Sequence, residues 1–229
     1  MNRFLNGMAR AVLETFDLPG PVLEVGSFQV PGHEAVADLR PMCNGKPYLG
    51  LDMRRGKGVD VVGSIERLPF ADAALGCVVA LTTFEHVQRF WTGFDEVRRV
   101  LRPDGALLVA CPFHFHIHSY PSDYWRFTPE ALRLLLADYP NRIIGSQGPR
   151  TRPANVWALA FREDGPTITP AQLARYEELM RLYAREPLPL MRRLRYTMGR
   201  WLCGSRPFAP WLQRDEWEIA YQGPQEVAS

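Results

Sequence analysis

Over the first 165 positions, apolar residues recur in two alternating rhythms, short unbroken runs and stripes at helical spacing. The runs PVLEVGS (21–27), KPYLGLDM (46–53), VDVVGS (59–64), CVVALTTF (77–84), ALLVACPF (106–113), RIIGSQG (142–148) and NVWALAFR (155–162) predict seven strands. Between them HEAVADLR (33–40), FWTGFDEVRRVL (90–101) and TPEALRLLLADY (128–139) predict helices. Phe90, Phe94, Val97 and Leu101 share one face of the second, which RPDG (102–105) ends as a turn, and Thr128 with Pro129 starts the third as N-cap and first residue. Unbroken runs are what strands buried on both faces require. The pattern therefore predicts a Rossmann-like α/β fold, with seven mostly parallel strands, helices on both faces and the last two strands as an antiparallel edge.

The rhythm changes after Asp164. TPAQLARYEELMRLYARE (169–186) and LPLMRRLRYTMGRWLCG (188–204) read as two helices, and 206–229 as an aromatic-rich excursion with a disordered-looking tail. We therefore divide the chain into a domain over 1–165, beginning with a helix over 2–16, and a helical extension over 166–229 packed on it. In that first helix Phe4, Leu5, Met8, Val12 and Phe16 lie at packing-helix spacing rather than in the solid apolar block of a signal peptide.

Composition narrows the partners. A net charge of +2 on 229 residues does not call for a nucleic acid, and no apolar run is long enough to span a membrane. Cys43, Cys77, Cys111 and Cys203 are too scattered for a C-x-x-C pair, which suits the cytoplasm. In the extension Arg192, Arg193, Arg195 and Arg200 alternate with Leu190, Leu194, Met198, Trp201 and Leu202. That stripe predicts a helix packed on its own domain, and is also compatible with a lid, a homodimer contact or a membrane surface.

The first strand-to-helix turn, Gly26 to Gly32, is where an open α/β sheet beds its ligand. A pyrophosphate asks for G-x-G-x-x-G, and here Phe28 and Val30 interrupt the pattern, so a nicotinamide cofactor is disfavoured. S-adenosylmethionine carries no phosphate and asks instead for a carboxylate facing its ammonium. Glu24 stands where that carboxylate would act, and Asp52, closing the second run, where a ribose diol would be held.

The ordered series VLEVGS, YLGLDM, GSIERLPF, TTFEHV and RRVLRPDGALLVACPF, between Val22 and about Leu136, resembles class I S-adenosylmethionine-dependent methyltransferases of the type 11 family. The resemblance implies S-adenosylmethionine as cofactor, held by Glu24, Gly26, Ser27, Asp52, Met53, Ser64 and Ile65. The family usually has glycines at the places of Phe28 and Val30, and aspartates at those of Ser64 and Gly76. Ser64 keeps an acceptor but no charge. These departures favour the alternative of a non-catalytic methyltransferase-like interaction module, and the enzyme reading requires that Phe28 and Val30 leave the hollow open.

A sulfonium methyl group needs an aligned nucleophile, exclusion of water and, for a hydroxyl or ammonium acceptor, a base. Imidazole titrates in the right range, so His118, His86 and His114 are the catalytic candidates toward a small-molecule acceptor at oxygen or nitrogen. Glu85 is expected to be structural. His114, His116 and His118 alternate as metal ligands on one strand could, but a segment that begins at Pro112 reads as loop, and no metal is expected. The string YPSDYWRFTP matches a motif of the relatives, and with it Tyr120, Tyr124, Trp125 and Arg126 are expected on the acceptor wall, Tyr124 and Arg126 serving equally well as scaffold.

Overall fold

The computed structural model describes residues 2–32, 37–43, 45–118, 122–204 and 207–224. Helix α1 (Arg3–Thr15) leads into β1 (Val22–Val25), β2 (Tyr48–Asp52), β3 (Val61–Val62) and β4 (Leu75–Leu81). A 3-10 turn over Phe84–His86 precedes α2 (Phe90–Val100), β5 (Leu101–Pro112), α3 (Pro129–Leu135), β6 (Asn141–Gln147) and β7 (Asn155–Phe161). Then come α4 (Pro170–Tyr183), α5 (Leu190–Cys203), α6 (Ala209–Leu212) and β8 (Trp217–Gln222). Of the helix predicted over 33–40, residues 33–36 lie outside the described residues, and a 3-10 turn over Arg40–Met42 follows.

The strands form one sheet in the order β3-β2-β1-β4-β5-β7-β6-β8. The pairings from β3 through β5 are parallel, β7 runs against both β5 and β6, and β8 runs against β6. The sheet thus has eight strands rather than seven. The additional strand comes from the stretch read as an excursion, where Trp217, Ile219 and Tyr221 alternate with polar residues and pack on the core. Period-2 alternation is the signature of a strand with one buried face. The predicted antiparallel edge is also rearranged, because β7 lies inside the sheet and β8 is the edge.

Alternation along the central strands feeds two cores. Cys77, Val79 and Leu81 of β4 with Ala106, Leu108 and Ala110 of β5 face α1 and α4, whereas Val78, Ala80, Leu107 and Val109 face α2 and α3. All seven residues of β4 are buried, as a strand covered on both faces must be. RPDG does not stop α2 as a free turn. It lies within β5, where pairing jumps from Leu75↔Leu101 to Cys77↔Ala106, so the turn residues are absorbed as a bulge. At Gly76, one of the positions where the sequence departs from the pattern it resembles, a side chain would run into the Pro19 and Gly20 carbonyls, so the local backbone leaves no room for one.

Helix α5 departs from expectation. None of its residues is buried, and Leu190, Met191, Leu194, Met198, Trp201 and Leu202 all face solvent. Its ring contacts are with the segment that follows it, Tyr196 stacking on Trp211 of α6 with ring centroids 6.1 Å apart.

Candidate active site

The strand order reverses between β1 and β4, and there the carboxyl ends of the parallel strands open a crevice. Gly26 makes the turn out of β1 at φ +82°, and a β-carbon there would strike the side chain of Thr83, whose Oγ1 donates to the Val25 carbonyl at 2.9 Å. Both the left-handed backbone and the close approach demand glycine. The following amides are all turned toward β2 and its turn. Gly26 and Ser27 donate to Leu51 O at 2.8 and 3.2 Å, Phe28 to Asp52 Oδ2 at 3.4 Å and Gln29 to Lys57 O at 3.0 Å. Donors engaged in this way form no pyrophosphate cradle.

Phe28 packs against Gly56 beneath the Arg54 guanidinium, 4.3 Å from the ring centroid, and Val30 is half exposed at the rim. They line a cavity of about 280 Å³ without filling it, together with Glu24, Gly26, Ser27, Ala37, Leu81 and Thr82. Burial pushes the Glu24 carboxyl up to about 7, opposed by a hydrogen bond from the Tyr48 hydroxyl. The Ser27 hydroxyl is buried with no partner among the described residues.

The other residues expected at the cofactor lie off this cavity. Asp52 is buried at the end of β2 and, besides the Phe28 amide, accepts from the Arg54 backbone N–H at 2.9 Å. Met53 is exposed beside it. Ser64 caps a turn by accepting from Glu66 N at 3.2 Å, and the Ile65 side chain is buried in the core under α2.

A second cavity, about 260 Å³, adjoins the first at Thr82, which lines both. Its wall combines Glu85, His114 and His118 with Asn2 and Leu5 from the amino-terminal helix region and Pro210, Trp211 and Arg214 from the extension. Thr82 is held at φ +54°, a conformation unusual for a β-branched residue. The Arg214 Nε is buried and unpartnered among the described residues, although the same guanidinium pairs with Glu186 at 2.7 Å.

Glu85 is the residue that pattern reading underrated. Its side chain is fully buried, both carboxyl oxygens lack hydrogen-bond partners among the described residues, and burial raises it to about 8. His86 follows it in the 3-10 turn, its Nδ1 2.6 Å from Ser122 O and its pKa lowered by burial. The rings of His86 and His118 meet edge to face at 4.8 Å. His118 Nδ1 lies 3.0 Å from Asp123 Oδ2, and Arg126 holds that carboxyl well below the usual range. His114 stands apart against Trp211, its pKa lowered by burial and then by Arg152. The alternating histidines therefore do not converge, and His118 meets His86 and Glu85 from another loop. Nothing within His114 to His118 announces that meeting; only the proximity of the β4 and β5 ends would.

The YPSDYWRF string builds the loop rather than the cavity wall. The Tyr124 and Trp125 amides donate to Glu85 O at 2.8 and 3.2 Å, and the Trp125 indole donates to Val87 O at 3.0 Å. Arg126 grips Asp123 and the Trp125 carbonyl. Tyr124, Trp125 and Arg126 thus do not line the cavity, because their polar groups pin the β5 loop onto the turn after β4. Tyr120 lies outside the described residues.

A reversed strand order, a glycine turn without a phosphate cradle and two cavities meeting at the switch point describe a Rossmann-like α/β fold with its ligand crevice at the strand ends. Residues 44–109 match the family described as "Methyltransferase domain". No curated protein matches the chain. Among solved structures it is similar to a SAM-dependent methyltransferase from Archaeoglobus fulgidus, with a TM-score of 0.53 and 14% identity over 69% of this chain and 93% of the other. A possible histamine N-methyltransferase from Thermotoga maritima is similar at TM-score 0.49 and 16% identity, covering 69% and 89%. So is the 1,6-didemethyltoxoflavin-N1-methyltransferase of Burkholderia thailandensis, at 0.48 and 16%, covering 68% and 78%.

The residues present fit the cofactor. The first cavity offers a carboxyl and an unpartnered hydroxyl, and among the described residues no cationic side chain stands on its wall. That donor set suits an ammonium and neutral polar groups rather than a polyphosphate.

Proposed function

We propose that this protein methylates oxygen or nitrogen of a small-molecule acceptor held in the cavity lined by Glu85, His118 and Arg214. The observation that carries the reading is Thr82, which stands between a cavity suited to the donor and a second one rich in titratable groups. S-adenosylmethionine, when bound, supplies an activated methyl group whose leaving group is a neutral thioether.

Glu24 and Ser27 would hold the amino-acid end of the cofactor, and Asp52 its ribose, through a modest shift of Arg54 away from the carboxylate. Thr82 keeps acceptor and donor within reach while the apolar walls given by Leu5, Pro112, Phe115 and Trp211 exclude water. The Nδ1–H of His118 faces the Asp123 carboxylate, so its Nε2 lone pair is free to take the acceptor's proton. Arg214, with its unpartnered Nε, supports an acceptor carrying an anionic or hydrogen-bond-accepting group. The extension over 166–229 acts in this reading as part of the acceptor site, and three buried unpaired thiols support a cytoplasmic setting.

Calorimetric titration with S-adenosylhomocysteine, followed by a mass screen for products gaining one methyl group, tests the proposal. One-site binding with a methylated product is expected, and folded protein that does not bind would overturn it. His118→Ala is expected to cut turnover far more than cofactor affinity, and Asp52→Ala to do the reverse.

A further inference from the structure

One cluster at the acceptor cavity is built more elaborately than a single base requires. Glu85, His86 and His118 each offer a ligand atom within 4.8 Å of the other two, and His86 Nε2 lies 3.9 Å from Glu85 Oε1. Each imidazole is oriented through Nδ1, His86 at the Ser122 carbonyl and His118 at the Asp123 carboxylate. A ring that donates through Nδ1 keeps its Nε2 lone pair, and an outer carboxylate or carbonyl on the opposite nitrogen is the usual support of a metal-binding histidine. The third member is the fully buried Glu85 carboxyl group, neither oxygen of which has a hydrogen-bond partner among the described residues. Burying such a group is costly unless something cationic meets it. The nearby Arg126 is already paired with Asp123, so among the described residues the close cationic group open to Glu85 is the His86 imidazole, 3.9 Å away.

We infer that Glu85, His86 and His118 bind a divalent transition-series cation of the zinc type, whose remaining coordination positions open into the acceptor cavity. Two imidazole nitrogens and one carboxylate are a ligand set for such ions and leave room for an oxygen from elsewhere, whereas magnesium and calcium favour all-oxygen sites. Ligands around a tetrahedral zinc lie about 3.4 Å from one another. Binding therefore draws the cluster together by about 1.4 Å at its widest, and His118, the most exposed member, is the side chain free to move. Glu85 and His118 also line the acceptor cavity, so the ion favours an acceptor that presents a hydroxyl or carboxylate oxygen. The inference takes the location of the acceptor from the proposed function and replaces free His118 as proton acceptor with an ion-held oxygen that gives its proton to solvent water before the methyl group is transferred.

The test uses untagged full-length protein, stripped with chelator and confirmed folded by circular dichroism. Titration with Zn²⁺ against a chromogenic chelator, and with Co²⁺ followed by visible absorption, is expected to show one equivalent bound. His118→Ala and Glu85→Gln are each expected to weaken binding at least tenfold, whereas His116→Ala, on the same loop but outside the cluster, leaves it unchanged. Should Glu85→Gln fail to fold, His86→Ala serves as the second variant. Absence of stoichiometric binding, or binding indifferent to His118→Ala, would overturn the inference. S-adenosylhomocysteine binding is measured on the same stripped sample, and if it persists while metal binding is absent, the metal fails and the methyltransferase reading stands.

Discussion

In the proposed reading, the donor and acceptor sides of this crevice are built by opposite means. The donor side is local: Glu24, Gly26 and Ser27 follow one another at the end of β1, and Asp52 ends the neighbouring strand. The acceptor side is assembled from the turn after β4, the loop after β5, the amino-terminal helix region and the extension. A site made of adjacent strand ends is fixed as soon as the sheet forms. One made of distant segments is set by tertiary packing and can vary without disturbing the fold, which is how one architecture serves many acceptors.

Substitutions on the two sides should therefore fail differently, and the sharpest contrast lies on the donor side. Gly26→Val forces a left-handed, β-branched residue into Thr83, and S-adenosylhomocysteine affinity is expected to fall about 100-fold or more by calorimetry. On the acceptor side, Asp123→Asn breaks a buried ion pair that holds the loop. A loss of about 3–5 kcal/mol is expected, seen as a fall of roughly 6–20 °C in Tm. If Tm holds, the loop does not depend on that pair.

Glu24→Gln is expected to weaken cofactor binding about 10–100-fold, the range for a hydrogen bond to a charged group. Because burial raises Glu24 to about 7, its carboxyl is neutral in the unliganded fold below that pH, and an ammonium ligand must first ionise it. Cofactor affinity should thus fall by up to about tenfold per pH unit below 7 in the parent protein and lose this dependence in Glu24→Gln. The same elevation favours the unliganded fold most below the ordinary carboxyl value of 4.5, and that contribution is lost as pH rises through about 7. Arg214→Ala should raise the acceptor's KM several-fold with cofactor affinity intact. Trp201→Ser, on the exposed helix, should leave Tm within the equivalent of about 0.5 kcal/mol.

The same division governs what could be read from the sequence. The strand ends that carry Glu24, Gly26 and Asp52 were legible because a strand, a turn and a following strand form one short-range pattern. The strand β8 was missed because its alternation sits among prolines and aromatic residues after two helices, and only the β6 edge gives it meaning. The RPDG stretch carries every local signal of a turn, yet β4 draws it into a bulged strand. The convergence of Glu85 and His86 with His118 spans two loops, so residue spacing pointed to the alternating histidines instead. Tyr124 and Trp125 look like a pocket wall in sequence because aromatic residues serve equally for recognition and for bracing.

Thr82 lines both cavities, so in the proposed reading its two faces belong to different ligands. A residue in an uncommon backbone conformation costs about 1–3 kcal/mol, and contact with either ligand can change that cost. Whatever factor donor occupancy imposes on acceptor affinity, acceptor occupancy must return to the donor, since the thermodynamic cycle closes. This one threonine therefore gives the protein a means of making its two binding equilibria interdependent without a moving domain.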